Sequence, residues 1–429
     1  MTEATIALIV ILFLLLVSSA PIAVALGLTA FAYFLYFTTI PLTQVPDRLF
    51  NALNTFPLMA IPFFVLAANI MSRGGISRRL TNAGNALVGQ FRGGLAMTAV
   101  LACMFFAAVS GSSPATVVAV GTLLIPAMIS SGYPKEFSTG LIATSGSLGI
   151  LIPPSIPLIV YGIATEQSIG DLFIAGILPG IMAGLMLLGL VVVISRRRGY
   201  GTGEYAITMT TKEKFEALRA ASLSLVLPLL VLGGIYGGVF TPTEAAAVAV
   251  FYALFVAMVV YREITIADLG KVLLGSAKTS AMILFIIANG ILFTFVLVSE
   301  RIPGKITEGL LEMNLSAVTF LLMINILLLI VGCFMETSSA ILIIAPILLP
   351  IGLELGINPI HLGVIMVMNL EIGMVTPPFG LNLFVASGLS GMSVLQVAKA
   401  SAPSALVLLG GLILVTYIPF IPLALLGGP

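Results

Sequence analysis

The chain has 429 residues, 59% of them hydrophobic and 8% charged, with a net charge of +1 and a mean hydropathy of +1.21. A soluble protein of this length needs far more charge to cover its surface. The near-zero net charge, with no basic tract interleaved with aromatics, argues against a nucleic-acid partner. Apolar stretches of about 20 residues recur throughout, each able to cross a hydrocarbon core ~30 Å thick, so the composition specifies an all-α polytopic protein of the lipid bilayer.

The first apolar segment, 4–20, follows Glu3 and no Lys or Arg. It lacks the positive start of a secretory signal and reads as the first membrane helix. Further membrane helices are expected at 22–40, 57–72, 136–163, 173–195, 220–240, 243–261, 276–298, 361–388 and 402–424. The segments 41–56 and 262–275 carry a little charge beside apolar residues, as interfacial helices do, and read as arms that brace a static part.

Two more apolar stretches, 94–131 and 316–353, are each interrupted by a polar cluster: Ser110-Gly111-Ser112-Ser113-Pro114 and Glu336-Thr337-Ser338-Ser339. Each is either two crossings or one re-entrant hairpin. The hairpin reading puts Arg73, Arg78, Arg79, Arg92 and Lys135 on one face with Arg196–Arg198, Lys212, Lys214, Arg219 and Arg262. Glu166, Asp171 and the mixed segment 300–312 fall on the other, which is a positive-inside pattern. With two crossings instead, the basic loops would oppose one another.

A shift of 224 positions lays the first half on the second: Pro126 meets Pro350, Gly132 meets Gly356, Gly149 meets Gly373, and Pro153-Pro154 meets Pro377-Pro378. At nearly the same shift, the apolar run from Pro21 resembles the run from Pro242. Five crossings and one hairpin per half make an inverted repeat of 1–219 and 220–429, a common transporter plan.

A double proline removes two amide donors and forces the preceding residue out of helix. The helices should therefore open after Ser145-Gly146-Ser147-Leu148-Gly149 and after Asn369-Leu370-Glu371-Ile372-Gly373, the latter followed by Thr376-Pro377-Pro378. Unpaired polar groups at membrane depth cost about 2–7 kcal/mol each, so two tips and two breaks at matching positions call for a function. Freed carbonyls and hydroxyls suit a hard cation such as Na⁺, and the positive ends of half-helices suit a carboxylate. The bland alternative is close helix contact through small residues. In the repeat register Glu336 stands opposite Ser112 and Glu371 opposite Ser147. Each is a functional candidate or else a structural acceptor of backbone donors. The candidate substrate contacts are Ser112, Ser113, Pro154 and Ser155 in the first half, with Glu336, Thr337, Pro378 and Asn382 in the second. Glu244 after Thr241-Pro242-Thr243 reads as a helix start, His361 after Asn358-Pro359 as a surface residue, Arg196–Arg198 as an interfacial anchor, and Cys103 and Cys333 as small core residues.

The tip Ser-Gly-Ser-Ser-Pro-Ala-Thr (110–116), the break Gly-Ile-Leu-Ile-Pro-Pro-Ser (149–155) and the run Thr-Pro-Thr-Glu-Ala-Ala-Ala (241–247) resemble the large membrane subunit of TRAP (tripartite ATP-independent periplasmic) transporters. The resemblance covers essentially the whole chain. It implies an elevator-type fold of the ion-transporter superfamily in the bacterial inner membrane. It further implies Na⁺-driven uptake of a small organic anion, such as sialic acid or a C4-dicarboxylate. Two partners are implied: a small four-helix membrane subunit and a soluble periplasmic binding protein. The small subunit is expected as a separate polypeptide, since this chain leaves no room for it. Family Na⁺ sites lie between tips and breaks. Carried onto this sequence, they implicate Gly111, Ser112, Ser113, Ser145 and Gly149 on one side and Thr337, Ser338, Gly373 and Thr376 on the other, for two or more Na⁺ and no organic cofactor. The alternatives are a symporter of the same superfamily that takes dicarboxylate or sulfate without a binding protein, and a membrane-embedded enzyme. The enzyme is disfavoured because no nucleophile–base pair or metal cluster accompanies the single histidine.

Overall fold

Proline and glycine set where the helices of this chain stop. The computed structural model describes residues 3–18, 20–200, 209–312 and 316–428, and every regular element among them is helical. The chain opens with α1 (Glu3–Val17) and α2 (Ile22–Tyr36), then a short α3 (Gln44–Leu53) and, after a tight turn at Phe56–Met59, α4 (Ala60–Arg73). Next, α5 (Ile76–Val88) leads into a pair joined by two residues, α6 (Gly94–Ser110) and α7 (Ser113–Ser130). The helices α8 (Lys135–Ser145), α9 (Leu148–Leu151) and α10 (Ile156–Ala164) are pieces of one span interrupted at the double proline. They are followed by α11 (Ile169–Arg198), α12 (Thr211–Tyr236), α13 (Pro242–Leu254), α14 (Ile266–Ser299) and α15 (Ile302–Glu312). A second closely joined pair, α16 (Ala317–Phe334) and α17 (Thr337–Glu354), precedes α18 (Pro359–Gly373), α19 (Leu381–Ser390), α20 (Val394–Tyr417) and the short α21 (Phe420–Leu423).

Among the described residues nine helices are long and apolar enough to cross a membrane, or ten if the pieces on either side of the 43° bend at Pro153-Pro154 form one span. The helices fall on the apolar segments expected from sequence, and both interruptions of 94–131 and 316–353 fall at their polar clusters. The elements also recur in register: α7 and α17 start 224 positions apart, as do α8 and α18. Both Pro-Pro bonds are cis.

Two expectations need correction. The segment 262–275 is no separate arm. Thr265 and Asp268 close a capping box, and with no proline before Pro303 the helix runs unbroken into the membrane span as the 34-residue α14. Its counterpart, α3, does stand apart and packs on α14, with the Arg48 guanidinium 3.3 Å above the Phe295 ring. His361 is not at the surface: it is 2% exposed, and its Nε2 lies 2.8 Å from the Val415 carbonyl oxygen of α20. Asn358, not His361, takes the exposed helix start, its Oδ1 accepting from the amides of Ile360 and His361.

The readings of Glu244 and of the two cysteines agree with the structure. Glu244 closes a capping box with Thr241, worth about 1 kcal/mol, and Cys103 and Cys333 are buried and free.

Two sets of helices can be picked out, joined to each other by α5, which lies on both α6 and α12, and by the packing of α14 on α17 and of α4 on α6. In one, α14 lies against α2, α3 and α4, while α13 lies against α4 and α12. In the other, α6 and α7 pack on each other and on α8, α19 packs on α7 and α8, α16 on α18, and α17 on α10 and α18. The basic loops meet at one end of the molecule. Arg78 and Arg79 pair with Glu263 at 2.8 and 2.9 Å, and Lys214 Nζ donates to Gln90 Oε1 at 2.6 Å.

Candidate functional site

The α6–α7 tip turns in two residues because Gly111 adopts the left-handed conformation (φ +59°) and Ser112 is extended. The glycine is needed twice over, since a Cβ there would stand 2.7 Å from the Pro154 carbonyl oxygen. In turn the Ile156 amide donates to the Gly111 carbonyl at 3.4 Å. A Cβ on Gly149 would meet Thr116 Oγ1 at 2.6 Å and the Ser112 carbonyl at 2.7 Å. The first tip and the first break are therefore docked backbone to backbone. Inside the tip, the Thr116 hydroxyl donates to the Ser112 carbonyl at 2.8 Å, and the hydroxyls of Ser110 and Thr116 are 2.9 Å apart.

The α16–α17 tip is built differently. Glu336 is the N-cap of α17: its carboxylate accepts from the Ser339 amide at 3.1 Å, the Ser338 hydroxyl at 2.9 Å and the Ser339 hydroxyl at 3.3 Å. Of the two readings open for this residue, its contacts are those of the structural acceptor. The close approach to the second break lies further down α16, where a Cβ on Gly373 would come within 2.5 Å of the Gly332 Cα.

Both tips line one cavity of about 660 Å³ between the two helix groups. Gly111, Ser112, Ser113, Glu336, Thr337 and Ser338 face it, and the opposite wall comes from α2, α4 and α14. Five helices begin at its lining, since Ile22, Ser113, Ile156, Thr337 and Leu381 are the first residues of α2, α7, α10, α17 and α19. A helix start carries the positive end of its dipole, but α10 has no free N–H to offer: Ile156 donates to the Gly111 carbonyl, Pro157 has no N–H, and Leu158 donates to Ser155. Ser155 caps α10 and Glu336 caps α17, whereas α7 and α19 receive no side-chain cap from the described residues. No Arg or Lys lines the cavity among the described residues.

The other candidates lie behind the cavity. Pro154 is buried and offers its carbonyl oxygen toward Gly111. Ser155 donates to the Ile150 carbonyl and accepts from the Leu158 amide. Pro378 is exposed, and Thr376 donates to the Ile372 carbonyl at 2.8 Å. Asn382 is buried: its Nδ2 donates to Ser113 Oγ at 2.6 Å, with longer 3.4 Å contacts to the Ala143 carbonyl and Glu371 Oε1. Glu371 is 3% exposed.

Behind the second break, Asn369 Nδ2 donates to Asn325 Oδ1 at 2.7 Å, and Asn325 Nδ2 donates to Thr416 Oγ1 at 3.1 Å. Four buried oxygens on α8, α18 and α19 find no hydrogen-bond partner among the described residues: Ser145 Oγ, Asn369 Oδ1, Glu371 Oε2 and Asn382 Oδ1. Ser145 and Asn369 are equivalent positions in the 224-residue register. A donor set made only of hydroxyl, amide, carboxylate and carbonyl oxygens fits a hard cation.

Sequence reasoning did not single out Asn69 and Thr279, which face the tips across the cavity. Asn69 donates to Ser276 Oγ at 2.9 Å, tying α4 to α14. The available signal was a carboxamide inside the apolar run of 61–71.

In fold the chain is a polytopic helical membrane protein: it resembles a solved transporter, YdaH of Alcanivorax borkumensis, with a TM-score of 0.66 at 16% identity, covering 100% of both chains. Residues 9–421 match the family described as "Tripartite ATP-independent periplasmic transporter, DctM component". The chain belongs to that family of TRAP large permeases, which are transporters rather than enzymes. It is 50% identical over 401 residues to the C4-dicarboxylate TRAP transporter large permease of Pseudomonas aeruginosa, covering 94% of this chain and 93% of that one. With the Rhodobacter capsulatus protein of the same description it shares 45% identity over 429 residues, 97% of each chain.

Proposed function

We propose that this permease carries a small carboxylate anion inward across the bacterial inner membrane, coupled to Na⁺, through the cavity between the two tips. The observation that carries the reading is the convergence of five helix starts on a cavity that no Arg or Lys lines among the described residues. Helix N-termini attract anions through oriented amides, so the carboxylate is held by backbone rather than by arginine. The two relatives named for C4-dicarboxylates make succinate the first substrate to try, with sialic acid second. Na⁺, when bound, offsets the anion's charge and holds tip to break. Gly111, Ser112, Ser113, Ser145 and Gly149 on one side, and Thr337, Ser338, Gly373 and Thr376 on the other, are the positions for it.

In this reading residues 1–219 and 220–429 are inverted repeats, and each pair α6–α7 and α16–α17 is a re-entrant hairpin. The group containing the tips slides as an elevator against α2, α4, α13 and α14. A small membrane subunit braces the stationary group, and a periplasmic binding protein delivers the substrate. The test is uptake into proteoliposomes holding this chain and its small subunit, supplied with binding protein loaded with radiolabelled succinate or sialic acid. Uptake that needs both an inward Na⁺ gradient and the binding protein is expected. Uptake of free substrate would overturn the partner assignment, and uptake indifferent to Na⁺ would overturn the coupling.

A further inference from the structure

The two tips occupy equivalent register positions but are not held equivalently. Ser113, the first residue of α7, is gripped by the Asn382 amide from α19 at 2.6 Å. That amide sits among three oxygens, with the Ala143 carbonyl of α8 and the Glu371 carboxylate of α18 each at 3.4 Å. One side chain thus joins α7 and α8 of the first half to α18 and α19 of the second. At the matching positions of the other half stand Leu158, which cannot donate, and Ser147, whose hydroxyl is spent on the Thr144 carbonyl at 2.6 Å. Thr337, the counterpart of Ser113, has a methionine sulfur as its side-chain partner, Met374 at 3.2 Å, a weak acceptor.

We propose that Asn382 is a positioning residue that fixes the α7 amino end at the cavity, with Glu371 anchoring its amide from behind. The proposal rests on the transport reading above, in which that amino end receives the anion. Without the Asn382 donor, the Ser113 hydroxyl, the Ala143 carbonyl and the Glu371 carboxylate lose the one amide they share, and only the Ser113 hydroxyl is left to donate among them, an arrangement that low dielectric makes costly. The first tip is then released from the second-half core, while the second tip keeps its own Glu336 cap.

Hydrogen exchange on the chain with its small subunit in lipid nanodiscs tests this directly. In Asn382→Ala, and in Asn382→Leu, which keeps the volume and copies Leu158, amides 110–116 should exchange about tenfold faster or more, the scale set by losing a buried hydrogen bond. Amides 336–340 should stay within about twofold under the same measurement. Glu371→Gln, which retains an oxygen toward the amide, should leave 110–116 protected as in the wild type. In uptake the Asn382 variants should raise KM for loaded binding protein more than they lower the maximal rate. If Asn382→Ala does not fold, Ser113→Ala removes the partner instead and should give the same pattern. Unchanged exchange at 110–116, or an equal rise at both tips, would overturn the proposal. A wild-type protein that fails to take up substrate would sink the transport reading and leave the exchange comparison standing.

Discussion

Replacing Gly111 by alanine tests whether the first tip is docked on its break by backbone contact. The residue is left-handed at φ +59°, a conformation that costs an L side chain about 1–2 kcal/mol. The added Cβ would also stand 2.7 Å from the Pro154 carbonyl oxygen, and overpacking against such a neighbour costs about 1–3 kcal/mol. The total is about 2–5 kcal/mol. Gly356 separates the two contributions. It is left-handed too, at φ +74°, yet a Cβ there meets nothing within 4 Å among the described residues. Gly356→Ala should therefore cost only the conformational share, about 1–2 kcal/mol. The difference between the variants, about 1–3 kcal/mol, corresponds to roughly 5- to 150-fold in any equilibrium that requires the tip to dock. Since the chain has no Trp, unfolding in mixed micelles is best followed by far-UV circular dichroism, alongside the half-saturating substrate concentration for uptake. Equal losses in the two variants would refute the docking argument.

Gly373→Ala should separate α16 from α18, because its Cβ would fall 2.5 Å from the Gly332 Cα; unfolding should register a loss of about 1–3 kcal/mol. In contrast, Gly270→Ala in α14, where a Cβ meets nothing among the described residues, should stabilise by about 0.5–1 kcal/mol in the same assay. Asn369→Ala leaves Asn325 Oδ1 without its buried donor and should cost about 1–3 kcal/mol. Arg78→Ala should be nearly silent, at about 0–1 kcal/mol, because its side chain is 65% exposed. Arg79→Ala should cost more, since that guanidinium also donates to the Gly74 and Gly75 carbonyls and stacks 3.7 Å above the Tyr261 ring; a double-mutant cycle with Glu263→Gln separates the ion pair from the rest.

Helix positions were legible in the sequence because each depends on a local signal: apolar length, a proline pair, or a capping residue such as Thr241 or Ser316. The tips were legible too, since Ser112, Ser113, Glu336 and Thr337 interrupt apolar runs and all four reach the cavity. What depended on a distant partner was not. His361 opens a helix after Asn-Pro, a surface pattern, and is buried only because α20 crosses it. Asn382 follows the second break and so looked like a cavity residue, but the packing of α19 on α7 and α8 turns it inward. The break residues Pro154 and Pro378 share a register position and yet differ in exposure, one covered and one open. The far wall escaped notice because Asn69 and Thr279 lie in separate helices that meet only in three dimensions.

In the proposed reading the anion is held by helix starts at the cavity, those of α7, α17 and α19 among them, and a backbone N–H is present at every residue but proline. Single substitutions to any residue but proline therefore leave those groups in place. They act instead on the walls, at positions such as Ala68, Met282 and Ile283, where bulk and shape can drift without disturbing the helix ends. In that reading, descendants of such a protein inherit the sign of the charge they accept with the fold itself, and diverge in the size of what carries it.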